Sequence, residues 1–100
     1  MTIIYHITKL NWWEKFKKLP FYESETLNQE GFIHCSESQY LERVLALYFK
    51  GQKDLVLIHI DSDKVKPEIK YELAPDNISF PHIYGQLNKE AIIKVEDIIR

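Results

Sequence analysis

A nearly unbroken apolar run in the middle of the chain constrains the fold more than any other feature. Residues 55–60 are five aliphatic side chains and one histidine, bracketed by Asp54 and Asp61. A strand with one face in solvent alternates apolar and polar residues, so this run predicts a central strand that is covered on both faces. The rest of the chain has to supply a layer on each side of it.

Five other segments have the alternation or the residue types of β-strands: residues 2–8, 32–36, 68–73, 80–85 and 91–99. The third of these reads as a strand near an edge, because its charged residues alternate with apolar ones. Alternate side chains of a strand lie on opposite faces. His6 therefore shares a face with Ile4, and His34 shares a face with Phe32 and Ser36.

Two segments begin with a capping-box pattern and continue with apolar residues at helical spacing. The first begins at Asn11 and predicts a short helix over residues 12–18, and the second begins at Ser36 and predicts a helix that ends at Gly51. The apolar residues are Trp12, Phe16 and Leu19 in the first, and Leu41, Val44, Leu45 and Tyr48 in the second. Residues 21–30 have no periodicity, which predicts a surface loop with a single turn.

The predicted elements amount to an α+β fold, in which two short helices pack on a sheet that is mostly antiparallel. With 100 residues, 45% of them hydrophobic, the chain is long enough for one small domain, residues 1–100, and too short for two cores.

The single cysteine cannot form an internal disulfide. No apolar stretch reaches the length of a membrane span and the first residues lack a secretory signal, so we expect a soluble, cytoplasmic protein without a membrane partner. Thirteen basic against fifteen acidic residues disfavour nucleic acid as a partner.

Three histidines are candidates for a functional site, because each stands beside an aromatic or hydroxyl residue in a predicted strand. They are His6 next to Tyr5, His34 near Ser36, and His82 near Tyr84. Imidazole can donate, accept or shuttle a proton near neutral pH. The structural alternative for each of them, and for His59, is a partly buried ring bonded to a backbone carbonyl.

Other chemistries for these residues are weaker hypotheses. A zinc site from His6, His34, Cys35 and His82 lacks the usual ligand spacing, and His34 and Cys35 should point to opposite faces. Cys35 should therefore be buried and inert rather than a nucleophile. Ser36 could act as a nucleophile with His34, although a capping role before the helix also accounts for it.

Carboxylates and aromatic rings complete the candidate set. Glu30 and Glu72 are of the type that stabilises the cation-like transition state of glycosidic bond cleavage, although a solvated strand face also explains Glu72. Trp13 and Tyr22 are candidates for a pocket wall, whereas Trp12 belongs to the apolar stripe of the first helix.

Three motifs together resemble the signature of the bacterial family known as domain of unknown function 952. They are YHI at residues 5–7, EGFIHCS at residues 30–36 and FPHIYG at residues 80–85, and the resemblance covers nearly the whole chain. The family is similar in fold to the ADP-ribosyltransferase superfamily, whose split β-sheet cradles NAD or an ADP-ribosylated intermediate. The pattern also resembles that of the tRNA 2′-phosphotransferases, but those enzymes read phosphates with several arginines, and this chain has only Arg43 and Arg100.

The resemblance implies an ADP-ribosyltransferase-like enzyme or a binder of NAD or ADP-ribose, with NAD as substrate rather than as a firmly assigned cofactor, and with no metal. In this interpretation His6 and His34 bond the ribose and diphosphate, and Glu72 or His82 stabilises developing positive charge. Tyr84 or Trp13 would stack on the base, and both would line one cleft with the three histidines. The alternative is a non-enzymatic module that binds a small metabolite or a protein. The sequence does not indicate an oligomeric state.

Overall fold

Three antiparallel sheets make up most of the computed structural model, which describes residues 2–99. Its strands are β1 (Ile3–Lys9), β2 (Phe21–Tyr22), β3 (Ile33–His34), β4 (Leu55–Asp61), β5 (Glu68–Leu73), β6 (Ser79–Tyr84), β7 (Leu87–Asn88) and β8 (Ile92–Ile98). Within that part of the chain the strand orders are β1-β4-β8, β2-β7 and β3-β6-β5. The fold is therefore a small α+β domain with antiparallel sheets and a few short helices. Arg100 lies outside the described residues.

The apolar run of residues 55–60 forms the central strand β4, as its pattern predicts. Val56, Ile58 and Ile60 are on one face of β4 and belong to the main core. Leu55 is on the other face and packs with Leu45 of a helix that follows β3. Full burial of an aliphatic side chain stabilises a fold by about 1.5–3 kcal/mol, so covering both faces of this strand supplies much of the stability.

The helices differ in number and position from the sequence prediction. The structure describes three α-helices rather than two: α1 (Leu10–Glu14), α2 (Leu27–Glu30) and α3 (Leu41–Tyr48). Helix α1 begins and ends earlier than residues 12–18, and its first turn follows Lys9 with no side-chain cap. The helix ends before Phe16, but Phe16 is still buried in the core and Trp12 packs against it. Leu19 is exposed, and Trp13, which the predicted stripe omits, is buried as well.

Two other predictions are corrected near residues 21–40. Residues 21–30 are more than a loop, since they contain β2, whose two residues pair with β7, and α2, which forms the turn. Ser36 is not a helix cap, because a 3-10 turn over Ser38–Tyr40 precedes α3 and the Ser36 hydroxyl donates to the Glu37 carbonyl at 2.9 Å. No helix within residues 2–99 has the length and apolarity that a membrane crossing needs.

A single backbone bridge joins the edge of one sheet to the edge of another. The Tyr5 amide donates to the Ser36 carbonyl at 2.8 Å, and the Ser36 amide donates to the Tyr5 carbonyl at 2.7 Å. Tyr5 lies in β1, the edge strand beside β4, and Ser36 follows β3, the edge strand beside β6. Within residues 2–99 the backbones of the two sheets pair at this bridge alone, although their apolar side chains share the main core. Beside the bridge a split remains between the sheets.

Candidate functional site

A cavity of about 590 Å³ lies at the split, lined by β1, the β3-β6-β5 sheet and α3. His6, His34 and His82 all line it, although they come from three distant parts of the chain. Most of its wall is apolar, with side chains such as Val44, Phe49 and Phe80. A largely apolar cavity with a few convergent polar groups is the usual form of a small-molecule site.

His6 lines the cavity and Tyr22 lies beneath it, outside the lining; both are buried, and we call this pair the floor. The His6 Nδ1 donates to the His34 carbonyl at 2.6 Å, and the Tyr22 hydroxyl donates to His6 Nε2 at 2.8 Å. Burial lowers the His6 pKa to about 4 despite the bond to the carbonyl, so the ring is neutral and these two bonds fix its tautomer. Both ring nitrogens have partners inside the protein, so His6 would have to give up one of these bonds to bond a ribose or diphosphate, and that role stays a prediction. In this structure His6 positions the chain beside His34.

Tyr22 and Trp13 do not wall the cavity, which corrects the sequence-based expectation. Tyr22 is 0% exposed and Trp13 is 7% exposed, and their rings pack together with 5.6 Å between centroids. Burial raises the pKa of the Tyr22 phenol. Both rings belong to the hydrophobic core beneath the cavity. Tyr22 contributes to the site only through its hydrogen bond to His6.

His34 and Glu30 form one half of an exposed cluster at the mouth of the cavity. His34 Nε2 lies 3.1 Å and 3.2 Å from the two carboxylate oxygens of Glu30. The hydrogen bond from His34 holds the pKa of the Glu30 carboxyl below its usual value. Helix α2 ends at Glu30, and Gly31 takes a φ of 85°, which brings the chain directly into β3 and sets the carboxylate beside the imidazole.

His82 and Glu72 form the other half, across two neighbouring strands. The His82 Nδ1 donates to Glu72 Oε1 at 2.7 Å, and the Tyr84 hydroxyl donates to the same oxygen at 2.5 Å. These bonds, first that from Tyr84 and then that from His82, hold the Glu72 pKa below its usual value. The carboxylate also raises the pKa of Tyr84. Tyr84 lies outside the cavity lining and holds Glu72 in place, and its stacking on a base stays a prediction that this arrangement does not favour.

Phe32 joins the two halves, and it was not among the site residues predicted from the sequence. Its ring stacks on His82 with 4.0 Å between centroids, and it contacts His34 edge-on at 4.7 Å. The ring centroids of His34 and His82 lie 5.0 Å apart. We call this set, Glu30, Phe32, His34, Glu72 and His82, the imidazole rim. Phe32 and His34 share a face of the predicted strand, and this pattern could have identified Phe32 as a site residue.

The geometry of the rim suits acid-base chemistry. A carboxylate that accepts from Nδ1 fixes the neutral imidazole in the tautomer whose Nε2 carries the lone pair. The part of the chain that the structure describes gives His82 Nε2 no partner, so this nitrogen is available to a ligand in the cavity. The nearby carboxylates of Glu30 and Glu72 can stabilise a positive charge there.

Tyr5, Cys35 and Ser36 line the cavity at or next to the bridge that joins the two sheets. Tyr5 and Ser36 supply the backbone bridge, and the Tyr5 ring packs edge-on against His59 at 5.0 Å. Cys35 is buried, as expected from the alternation of its strand, and burial raises the pKa of its thiol. Within residues 2–99 no group of three or more ligating side chains is placed to hold a metal ion.

Among the described residues, carboxylates at the cavity outnumber lysines and arginines. Glu25, Glu30 and Glu72 line it together with one lysine, Lys9. Arg43 is outside the lining and pairs with Asp76, its Nε donating to the carboxylate at 2.9 Å. The cavity therefore offers little positive charge to a phosphate.

Comparison with known proteins places the chain among proteins without an established activity. A family model described as "Protein of unknown function (DUF952)" matches residues 7–95. The crystal structure of CC0527 from Caulobacter crescentus has a TM-score of 0.86 and 29% identity, covering 96% of this chain and 85% of that one. The solution structure of CC0527 has a TM-score of 0.81 and 30% identity, covering 97% and 84%. No curated protein matches significantly. The match to the family model spans most of the chain, which therefore belongs to the DUF952 family.

Proposed function

We propose that this protein binds a small organic ligand of the NAD or ADP-ribose class in the cavity above the floor formed by His6 and Tyr22. The observation that carries the proposal is the convergence of His34 and His82, each beside a carboxylate, on one cavity between two sheets. The cavity volume of about 590 Å³ is within the range of small-molecule sites. The split between antiparallel sheets is consistent with the ADP-ribosyltransferase-like fold that the motifs imply.

In this proposal the imidazole rim acts on the ribose of the ligand. His34 and His82 hydrogen-bond the sugar, and Glu72 stabilises the positive charge that develops as a glycosidic bond breaks. Among the residues proposed from the sequence, these three keep a direct role. His6, Tyr22 and Tyr84 hold them in position through the bonds described above.

The test is an NMR titration of the histidine side chains with millimolar NAD and ADP-ribose. We expect the resonances of His34 and His82 to move, and those of His59, which is outside the cavity lining, to stay. Release of nicotinamide, followed by chromatography, shows whether binding leads to reaction. If all four histidines are unchanged at millimolar ligand, the proposal is wrong.

A second candidate function is a non-enzymatic module that binds a neutral or cationic metabolite. The acidic balance of the cavity, three glutamates against Lys9, favours it over a nucleotide with two phosphates. Here a His34→Ala variant loses affinity for the metabolite, and no nucleotide is consumed by the native protein. Turnover of NAD that depends on Glu72 would exclude this candidate.

A further inference from the structure

Two large apolar side chains at the cavity are left exposed. Tyr48, the last residue of α3, is 63% exposed, and Leu73, the last residue of β5, is 67% exposed. Both of them line the cavity. A single exposed apolar residue is common on a protein surface, but exposed apolar side chains that gather around a cavity mark a binding surface. These two residues are therefore candidates for contacts with a ligand.

Tyr48 and Leu73 belong to a part of the cavity between α3 and the connection from β5 to β6. Two contacts show that these segments lie side by side. The Arg43 Nε donates to the Asp76 carboxylate at 2.9 Å, and the Tyr40 and Phe80 rings meet with 5.8 Å between centroids. We call the cavity-lining residues within 44–49 and 73–80 the apolar arm, since all of them are uncharged. Besides Tyr48 and Leu73, they include Val44, Phe49, Pro75 and Phe80.

The apolar arm is continuous with the imidazole rim. Leu73 directly follows Glu72 in β5, and Phe80 pairs with Glu72 in register across β5 and β6. Phe80 and His82 are two residues apart on β6, so they share a face of that sheet. One ligand molecule can therefore place a polar group at the rim and an apolar group in the arm.

The charges around the arm indicate which kind of group it accepts. Arg43 and Asp76 lie outside the lining and form an ion pair, so they compensate each other. A phosphate or a carboxylate in the arm would lose its hydration without gaining a cationic partner. Tyr48, Phe49 and Phe80 supply aromatic rings to the arm, which favours a flat aromatic group as its occupant.

We propose that the apolar arm binds the uncharged aromatic base of a nucleoside whose ribose lies at the imidazole rim, and that Tyr48 and Leu73 contact this base. The inference rests on the proposed function, because it places the base of the proposed ligand class in the same cavity. It makes the base, rather than the diphosphate, a main source of affinity. Adenosine is the part that NAD and ADP-ribose share, so adenosine is the probe.

The first experiment compares alanine variants of exposed residues inside and outside the arm. Tyr71→Ala is the control for Tyr48→Ala, and Leu47→Ala is the control for Leu73→Ala. Tyr71 is 49% exposed and Leu47 is 58% exposed, and both are outside the cavity lining. All four variants should keep the native urea midpoint, because substitutions of exposed residues change stability little.

Adenosine binding to these variants, measured by NMR titration, tests the arm. Tyr48→Ala and Leu73→Ala should each weaken it about tenfold, since each loses apolar contact with the base. The two control variants should bind adenosine as the native protein does. Equal affinities within both matched pairs would overturn the inference.

The second experiment uses the native protein and changes the ligand. Adenosine should bind at least about tenfold more tightly than ribose, which has no base. Uridine should bind more tightly than orotidine, whose base differs from that of uridine by a carboxylate. Ribose that binds as tightly as adenosine, or orotidine that binds as tightly as uridine, would contradict the inference.

The outcomes separate this inference from the proposed function. Binding of ADP-ribose that is weakened in His82→Gln but unchanged in Tyr48→Ala and Leu73→Ala overturns the inference and leaves the proposed function standing. Adenosine binding that depends on Tyr48 and Leu73, without any binding of NAD or ADP-ribose, supports the inference and contradicts the proposed ligand class. If no compound binds the native protein, both are wrong.

Discussion

The floor and the rim of the cavity both contain histidine, but the hydrogen bonding of the imidazole differs between them. His6 on the floor is buried, and both of its ring nitrogens have partners inside the protein. His82 in the rim is fixed at one nitrogen by Glu72, and the described residues leave its other nitrogen without a partner. A fully bonded buried ring contributes to stability, whereas a ring with an available nitrogen can serve a ligand. We therefore expect changes on the floor to alter folding, and changes in the rim to alter binding.

The largest expected effect is the response of the floor to acid. The pKa of His6 is lowered from 6.5 to about 4 by burial, so between these pH values the unfolded chain binds a proton that the folded protein does not. The free energy of unfolding should therefore fall as the pH falls from about 6.5 to about 4, by about 3 kcal/mol from this residue. Urea denaturation at a series of pH values measures this slope. An NMR titration in which His6 of the folded protein protonates near pH 6.5 would contradict it.

The next effect concerns the partner of His6. Tyr22→Phe removes the hydroxyl that donates to His6 Nε2 and leaves a buried acceptor unpaired, which should cost about 1–3 kcal/mol of stability. Tyr71→Phe is the matched control, because Tyr71 is 49% exposed. Equal urea midpoints for the two variants would mean that the floor does not contribute to stability in this way.

The smallest expected effect is on binding at the rim, and it discriminates most sharply between floor and rim. His82→Gln should weaken the binding of NAD or ADP-ribose about tenfold, with little change in the urea midpoint, since the pair with Glu72 is partly exposed. His59→Gln is the control. His59 forms a similar pair with Glu96 at 2.6 Å, on strands away from the cavity lining. Equal losses of affinity in both variants would remove the distinction on which the proposed site depends.

The longer elements of the fold were easier to predict from the sequence than the shorter ones. Residues 55–60 revealed the central strand because a long apolar run has one physical explanation. The pairing of β2 with β7 was missed because each strand has only two residues, too few for any period. Helix α1 was placed too late because a capping-box pattern suggested Asn11, whereas the chain turns into the helix directly after Lys9.

The site was predictable where chemistry and alternation agree. His34 and His82 could be chosen because each lies in a short strand beside hydroxyl or aromatic residues, and they pair in register across β3 and β6. The burial of Trp13 against Tyr22 depends on contacts between distant segments, which no local pattern contains. The tautomer of His6 is likewise set by Tyr22, sixteen residues away.

The bridge between Tyr5 and Ser36 consists entirely of main-chain atoms. Any pair of residues other than proline could form those two bonds, so substitution of the surrounding side chains does not by itself close the opening. The position of the cavity therefore depends on the backbone fold, whereas the ligand that the cavity prefers can change with single side-chain substitutions.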